Sequence, residues 1–231
     1  MRDDLLKGLE ALELPADSRK TEQLLEYVSL LLHYNAHTNL TAIREEKEIV
    51  EKHLLDSLLL VRYVDEYARN ALDIGSGAGF PGMALAIWLP EIRFLLLDSV
   101  GKKTKFLETV KNELKLPNVE IVTGRAEDCV EGRRETFDLG FCRGVGALPV
   151  ILEYMLPFLK KNGVFLAQKQ NADEIPAAEK ALRELGGRVE RIDSLRLPFS
   201  QAPRTVIAIE KNGTTPGKYP RKAGIPGKRP L

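Results

Sequence analysis

Ala71-Leu72-Asp73-Ile74-Gly75-Ser76-Gly77-Ala78-Gly79-Phe80-Pro81-Gly82 combines a short apolar run, an acid, glycines alternating with small residues, and a proline. The pattern predicts a buried strand, a tight turn and a helix start. Glycine suits a backbone that turns sharply and admits a ligand with no Cβ in the way. Proline suits the first helical position, where its missing N–H leaves no bond unmade. Asp73 then puts a carboxylate at the mouth of a pocket for a nucleoside-bearing ligand.

Two ligand classes compete for such a turn. Gly77, Gly79 and Gly82 satisfy G-x-G-x-x-G, the dinucleotide fingerprint. In that fingerprint the first glycine closely follows the strand, and a pyrophosphate sits on the helix N-terminus. Here Gly75 already follows Asp73-Ile74, so the register is D-x-G-x-G-x-G. That register resembles the first motif of S-adenosylmethionine-dependent methyltransferases, whose cofactor has no phosphate.

Working outward, Arg93-Phe94-Leu95-Leu96-Leu97-Asp98 is a second apolar run ending in an acid. A carboxylate at the end of the second strand accepts ribose hydroxyl protons, so Asp98 supports a nucleoside site of either class. A third strand, Val119 to Thr123, leads into Gly124-Arg125-Ala126-Glu127-Asp128. Methyltransferases commonly meet the adenine amino group there with an acidic or amide side chain; helix capping on a solvated face explains Glu127 and Asp128 as well.

Strands and helices alternate from Ala71: strand 71–75, helix 81–89, strand 93–98, helix 102–115, strand 119–123, strand 137–142, helix 147–160, strand 163–169 and a helix near 173–186. Alternation of this kind predicts a parallel sheet with helices on both faces. Strands near 188–196 and 203–210 have no helix between them and should pair antiparallel. The expected fold class is α/β, a Rossmann-like seven-stranded methyltransferase sheet; a dinucleotide fold would continue with further βα units. Ahead of the sheet, leucines at helical spacing in 4–13 and 18–35 and the stretch from Glu46 to about Tyr67 predict a helical cap. The expected organisation is a cap over 1–69, a methyltransferase domain over 70–211 and a tail over 212–231.

A chain of 231 residues can bury a substantial core. No apolar run approaches the ~20 residues of a membrane span, and Met1-Arg2-Asp3-Asp4 opens no signal-peptide core, so a cytoplasmic location is expected. Cys129 and Cys142 have no metal-ligand or disulfide spacing, and no metal is expected. Cys142 ends a strand near the pocket; a small buried apolar role is a better fit there than a nucleophile.

Six of the 34 basic residues and none of the 33 acidic ones follow Glu210, so the rest of the chain carries five more acids than bases. The tail, including Lys218, Arg221 and Lys222, also holds Pro216, Pro220, Pro226 and Pro230. Such composition predicts a segment that forms no helix or core and stays extended and mobile until it meets an anionic partner. Lysine and arginine there would neutralise phosphates; a merely solubilising tail would have the same composition.

The fourth strand, Phe137 to Cys142, runs into Arg143-Gly144 and lacks the acid or asparagine, prolines and aromatic typical of amino-group methyltransferases. That argues against an exocyclic amine as acceptor. A ring nitrogen such as guanine N-7 has a free lone pair and no proton to lose, so it requires in-line positioning rather than a general base.

Asn39-Leu40-Thr41, Lys52-His53-Leu54-Leu55-Asp56-Ser57, Asp73 to Gly82, Leu97-Asp98-Ser99 with Lys102-Lys103, Phe106-Leu107, Asn112 to Leu116, Cys142-Arg143-Gly144 and the tail from Lys218 to Pro226 occur in order. The series resembles the RsmG (GidB) family of bacterial small-subunit ribosomal RNA guanine-N-7 methyltransferases. The resemblance implies S-adenosylmethionine as cofactor and a guanine in the decoding-region loop of 16S rRNA as acceptor, within partly or fully assembled small (30S) subunits; a monomer is expected. Carried over by motif, Asp73, Gly75, Gly77, Gly79 and Phe80 form the turn and methionine side of the cofactor site. Asp98, Ser99 and Val100 take the ribose, and Ala126 and Glu127 the adenine. Arg143 lies at the cofactor–substrate boundary, with Arg125, Lys169 and Arg204 around the rRNA entrance and Lys218, Arg221 and Lys222 on the tail.

Arginine commonly grips guanine through O6 and N-7 together. That grip would occupy the attacking lone pair, so Arg143 is expected to hold O6 alone, a phosphate or the cofactor carboxylate. The last two are preferred because a cation beside the ring nitrogen would oppose the positive charge of the product. His53 and Asp56, three apart on a helix, share a face: they either approach the pocket mouth and order the loop after Asn39, or pack the cap on the sheet. Two other functions stay open at this point, an NAD-dependent oxidoreductase and a ribosome-associated binding protein with a vestigial pocket.

Overall fold

The computed structural model describes residues 1–231. Helices α1 (Arg2–Ala11) and α2 (Ser18–Thr38) come first. They are followed by one helical stretch built of α3 (Glu46–Ile49), a wide π turn (Val50–Leu55), α4 (Asp56–Leu58) and a 3-10 turn (Leu59–Tyr63). The alternating part runs β1 (Asn70–Ile74), α5 (Gly82–Trp88), β2 (Arg93–Asp98), α6 (Gly101–Glu113), β3 (Val119–Thr123), α7 (Ala126–Cys129), β4 (Phe137–Arg143), α8 (Leu148–Met155), β5 (Leu159–Lys169), α9 (Ile175–Leu185), β6 (Gly187–Arg196) and β7 (Pro203–Lys211). A last short helix, α10 (Ile225–Lys228), lies in the tail.

The strands form one sheet in the order β3-β2-β1-β4-β5-β7-β6. Strands β1 to β5 are parallel, and β7 inserts antiparallel between β5 and β6. Beyond β3 the chain returns to place β4 beside β1, so the strand order reverses there and opens a crevice at the carboxyl ends of the strands. The terminal antiparallel pair is the arrangement expected of a methyltransferase sheet.

Both sheet faces are covered, and side chains alternate between them with period two. Phe94 and Leu96 of β2 enter a core shared with Leu5, Leu24, Val28 and Leu54 of the N-terminal helices. Leu95 and Leu97 enter a second core with Leu148, Ile151 and Leu185 on the opposite face. The helices ahead of β1 therefore share one continuous core with α5 and α6.

Three expectations are corrected. Helix 147–160 ends early: α8 stops at Met155, a 3-10 turn spans Leu156–Phe158, and β5 starts at Leu159 instead of 163. Pro157 cannot supply the N–H a continuing helix needs. The expected helix from Glu46 to about Tyr67 ends at Tyr63 and widens at Val50–Leu55, a π distortion of the sort often found beside functional sites.

The tail is neither extended nor free of helix. Tyr219 is buried against the second core, and Thr215 Oγ1 donates to Leu185 O at 2.7 Å. Arg221 pairs with buried Glu153, and α10 packs back on α8. Composition failed here because the tail needs no core of its own; it docks on one already built.

Candidate active site

A cleft of about 250 Å³ lies at the carboxyl ends of β1 to β4. Ile74 and Gly75 come from β1 and its turn, and Leu97, Asp98, Ser99 and Val100 from β2. Gly124, Arg125, Ala126 and Glu127 follow β3, and Gly144 and Val145 follow β4, with Lys103 and Tyr154 completing the wall.

Asp98 is held by two backbone N–H groups. Its Oδ2 accepts from Gly77 N at 2.8 Å and its Oδ1 from Val100 N at 2.8 Å. The carboxylate is thereby fixed in place while each oxygen keeps a lone pair. Gly75, at φ +73°, faces Val145 across the cleft: a Cβ at Gly75 would fall 2.2 Å from Val145 Cγ2. The structure thus brings Gly75, Asp98, Ser99, Val100, Ala126 and Glu127 together around one space.

Asp73, Gly79 and Phe80 lie behind that space. Asp73 is fully buried, and its Oδ2 accepts from Gly82 N at 2.9 Å, tying the strand end to the start of α5. Burial pushes its carboxyl up to about 7, against the Gly82 and Ser76 hydrogen bonds. Gly79, at φ +98°, faces the cap: a Cβ there would fall 2.2 Å from Tyr27 Oη and 2.9 Å from Leu107 Cδ2. The Tyr27 hydroxyl donates to Ala78 O, so α2 braces the glycine turn. Gly79 is needed for the approach of a helix from the cap. Phe80 is 5% exposed and stacked between His53 and Tyr27, with centroid distances of 4.6 and 5.0 Å.

Next to the cleft, sharing Gly144 with it, lies a wholly polar recess lined by Asp56, Arg143, Gln168, Lys169, Glu174 and Arg204 among others. Asp56 is its hub. Its Oδ2 accepts from Arg143 Nη1 at 3.1 Å, and its Oδ1 from Arg204 Nε at 2.9 Å and Gln168 Nε2 at 2.6 Å. Burial raises the Asp56 carboxyl overall, and the Arg143 and Arg204 guanidiniums oppose that rise through charge-assisted hydrogen bonds. Arg143 also donates to Lys52 O at 3.4 Å and lies over the Phe80 ring at 5.6 Å. The principal partner of Arg143 within the chain is Asp56, and Arg143 lines the polar recess rather than the cleft.

His53 joins the cap to this cluster. Its Nδ1 lies 3.2 Å from Arg143 Nη2 and its Nε2 lies 2.8 Å from Thr41 Oγ1. Arginine only donates, so Nδ1 accepts and Nε2–H donates to the threonine. Burial, reinforced by the Arg143 charge, lowers the imidazole to about 3. His53 therefore touches the loop after Asn39 and packs the cap against the sheet, and it lines neither the cleft nor the recess.

Lys169 donates to Gly146 O at 2.6 Å and pairs with Glu174 at 3.0 Å. Arg125 is exposed at the cleft rim, and Lys218 and Lys222 are exposed on the tail. Arg221 is committed to Glu153 and is not a free cation. Cys142 is fully buried, which pushes its thiol up and leaves it no nucleophilic role. Sequence reasoning did not single out Tyr154 and Val145 on the wall, or Gln168, as site residues; Lys103 had a signal only as part of the series Leu97-Asp98-Ser99 with Lys102-Lys103.

Residues 20–202 match the family GidB, described as rRNA small subunit methyltransferase G. The ribosomal RNA small subunit methyltransferase G of Fusobacterium nucleatum subsp. nucleatum is 54% identical, covering 100% of both chains. That of Alkaliphilus oremlandii is 44% identical, covering 100% of this chain and 99% of its own. Among solved structures, a SAM-dependent methyltransferase from Aquifex aeolicus aligns with a TM-score of 0.56 at 15% identity, covering 75% of this chain and 97% of its own. TYW2 of M. jannaschii, solved in complex with AdoMet, aligns with a TM-score of 0.53 at 14% identity, covering 64% and 72%. These two are similar in fold. Identity sustained over the full length, with the glycine turn and Asp98 in one cleft, places the chain in the GidB family of rRNA small subunit methyltransferases G.

Proposed function

We propose that this protein transfers the methyl group of S-adenosylmethionine to N-7 of a guanine in the decoding-region loop of 16S rRNA. The full-length identity to ribosomal RNA small subunit methyltransferase G carries this reading. The residues of the cleft fit the cofactor. Asp98, held by two backbone N–H groups, accepts from the ribose hydroxyls, and Ala126 and Glu127 flank the adenine. Gly75 and Val145 border the route to the methionine end.

When bound, S-adenosylmethionine supplies an electrophilic methyl group. Everything else is positioning, because a ring nitrogen needs no proton removed. The polar recess beside the cleft is the acceptor site in this account. Arg143 is drawn onto Asp56, so its guanidinium does not seize the lone pair of N-7. Arg204 is restrained by the same carboxylate, and Lys169 and Arg125 border the rRNA entrance. Lys218 and Lys222 on the docked tail offer exposed charge to phosphates. The substrate in this account is the 30S subunit in the cytoplasm, met by a monomer.

Calorimetric titration with S-adenosylmethionine tests the cofactor half. Asp98→Ala is expected to weaken binding at least tenfold, since it removes a charged acceptor of two hydroxyls; unchanged binding would place the ribose elsewhere.

A further inference from the structure

The C-terminal tail reaches the cleft wall from behind. Arg221 grips the fully buried Glu153 through its backbone N and its Nε, both at 2.8 Å from Oε1, and through Nη2 on Oε2. The same guanidinium donates to Arg229 O at 2.8 Å, closing the segment 221–229 into a loop. At the tip of that loop Gly224, at φ +82°, donates its N–H to Glu127 Oε1 at 3.0 Å. Gly227 lies against Tyr154, whose Oη would be 3.9 Å from a Cβ there. Glu127 and Tyr154 both line the cleft.

We infer that the tail is a positioning element for base recognition: Gly224 N–H fixes the rotation of the Glu127 carboxylate so that its other oxygen faces the amino group of the bound adenine. The inference rests on the reading that the cleft takes S-adenosylmethionine. One Glu127 oxygen is committed to the tail and the group is half-buried, so the carboxylate cannot turn freely. Asp98 at the end of β2 and Glu127 after the neighbouring β3 lie along one cleft, as the ribose and base of one nucleoside require. Arg221 and Glu153 are the anchor of this device, and Arg221 acts through the tail rather than on RNA. A carboxylate accepts from a 6-amino group but repels the 6-oxo group of hypoxanthine, so the device also selects the base.

The test compares calorimetric Kd values for S-adenosylhomocysteine and S-inosylhomocysteine, which differ at the 6-position. Wild type is expected to favour the adenosine compound at least tenfold, the effect of one charge-assisted hydrogen bond. In Glu127→Gln the amide carbonyl stays on Gly224 N–H and the NH₂ faces the base, so the preference should reverse. Gly224→Pro has no N–H and cannot adopt φ +82°. Added to Glu127→Gln, it frees the amide to turn and should abolish the reversal, with the core unfolding transition unchanged. Reversal retained in the double variant would overturn the role of the tail. Equal binding of both compounds by wild type would overturn the role of Glu127, with cofactor binding itself intact. No binding of either compound by wild type would instead refute the cofactor reading.

Discussion

Asp56 and Arg143 meet at 3.1 Å across the junction of cap and sheet, with side chains only 3% and 18% exposed. The contact joins the α4 segment to the end of β4, and through Asp56 it also gathers Arg204 from β7 and Gln168 from β5. One carboxylate thus holds the polar recess together.

Asp56→Ala would leave two buried guanidiniums without their counter-charge. Breaking a buried pair by removing one partner costs about 3–5 kcal/mol, so a loss of that order is expected in urea denaturation. Arg143→Ala is expected to cost less, because Asp56 keeps Arg204 and Gln168, yet it should lower kcat/KM for rRNA more than stability. Equal stability losses would show that Asp56 is not the hub.

Two buried groups give opposite pH dependences. His53 is lowered to about 3, so the unfolded chain takes up a proton that the folded one refuses, and stability falls as pH drops from about 6.5 to about 3. Asp73 is raised to about 7, so the folded chain holds a proton the unfolded one has lost, and stability falls as pH rises from about 4 to about 7. His53→Gln should therefore gain on wild type toward acid, and Asp73→Asn should gain toward neutral pH. Parallel wild-type and variant profiles of Tm against pH would contradict either assignment.

Gly79→Ala puts a methyl 2.2 Å from Tyr27 Oη at φ +98°. A loss of about 2–4 kcal/mol is expected from overlap and backbone strain. Tyr27→Phe in the same chain should recover part of it by removing the hydroxyl. No recovery would place the cost in the backbone alone.

The two kinds of tail cation should separate. Lys218→Ala with Lys222→Ala should reduce the slope of log KM for rRNA against log salt by about 1–2, the mark of lost phosphate contacts. Arg221→Ala should leave that slope unchanged and lower Tm, because it strips the counter-charge from buried Glu153. A salt effect from Arg221 would return it to the RNA.

Local signals carried the sheet and half of the site. Strand-end acids and a glycine turn are contiguous in sequence, so Gly75, Asp98 and Glu127 could be placed before any contact was known. Gly79 and Phe80 belong to the same motif yet serve the cap, a distinction that depends on where Tyr27 arrives. The Asp56 hub spans separations of 87, 112 and 148 residues to its three partners. No periodicity encodes contacts that distant. The tail misled for the opposite reason, since its Pro/Gly-rich and basic composition describes an isolated segment rather than one that finds Glu153 and Glu127 waiting.

Methyl transfer from labelled S-adenosylmethionine to 30S subunits, followed by borohydride reduction and aniline cleavage of the 16S rRNA, probes the proposed reaction most directly. Label in a single guanine of the decoding-region loop, with chain cleavage at that nucleotide, is the predicted result. Label without cleavage, or on another base, would contradict transfer to N-7 of that guanine.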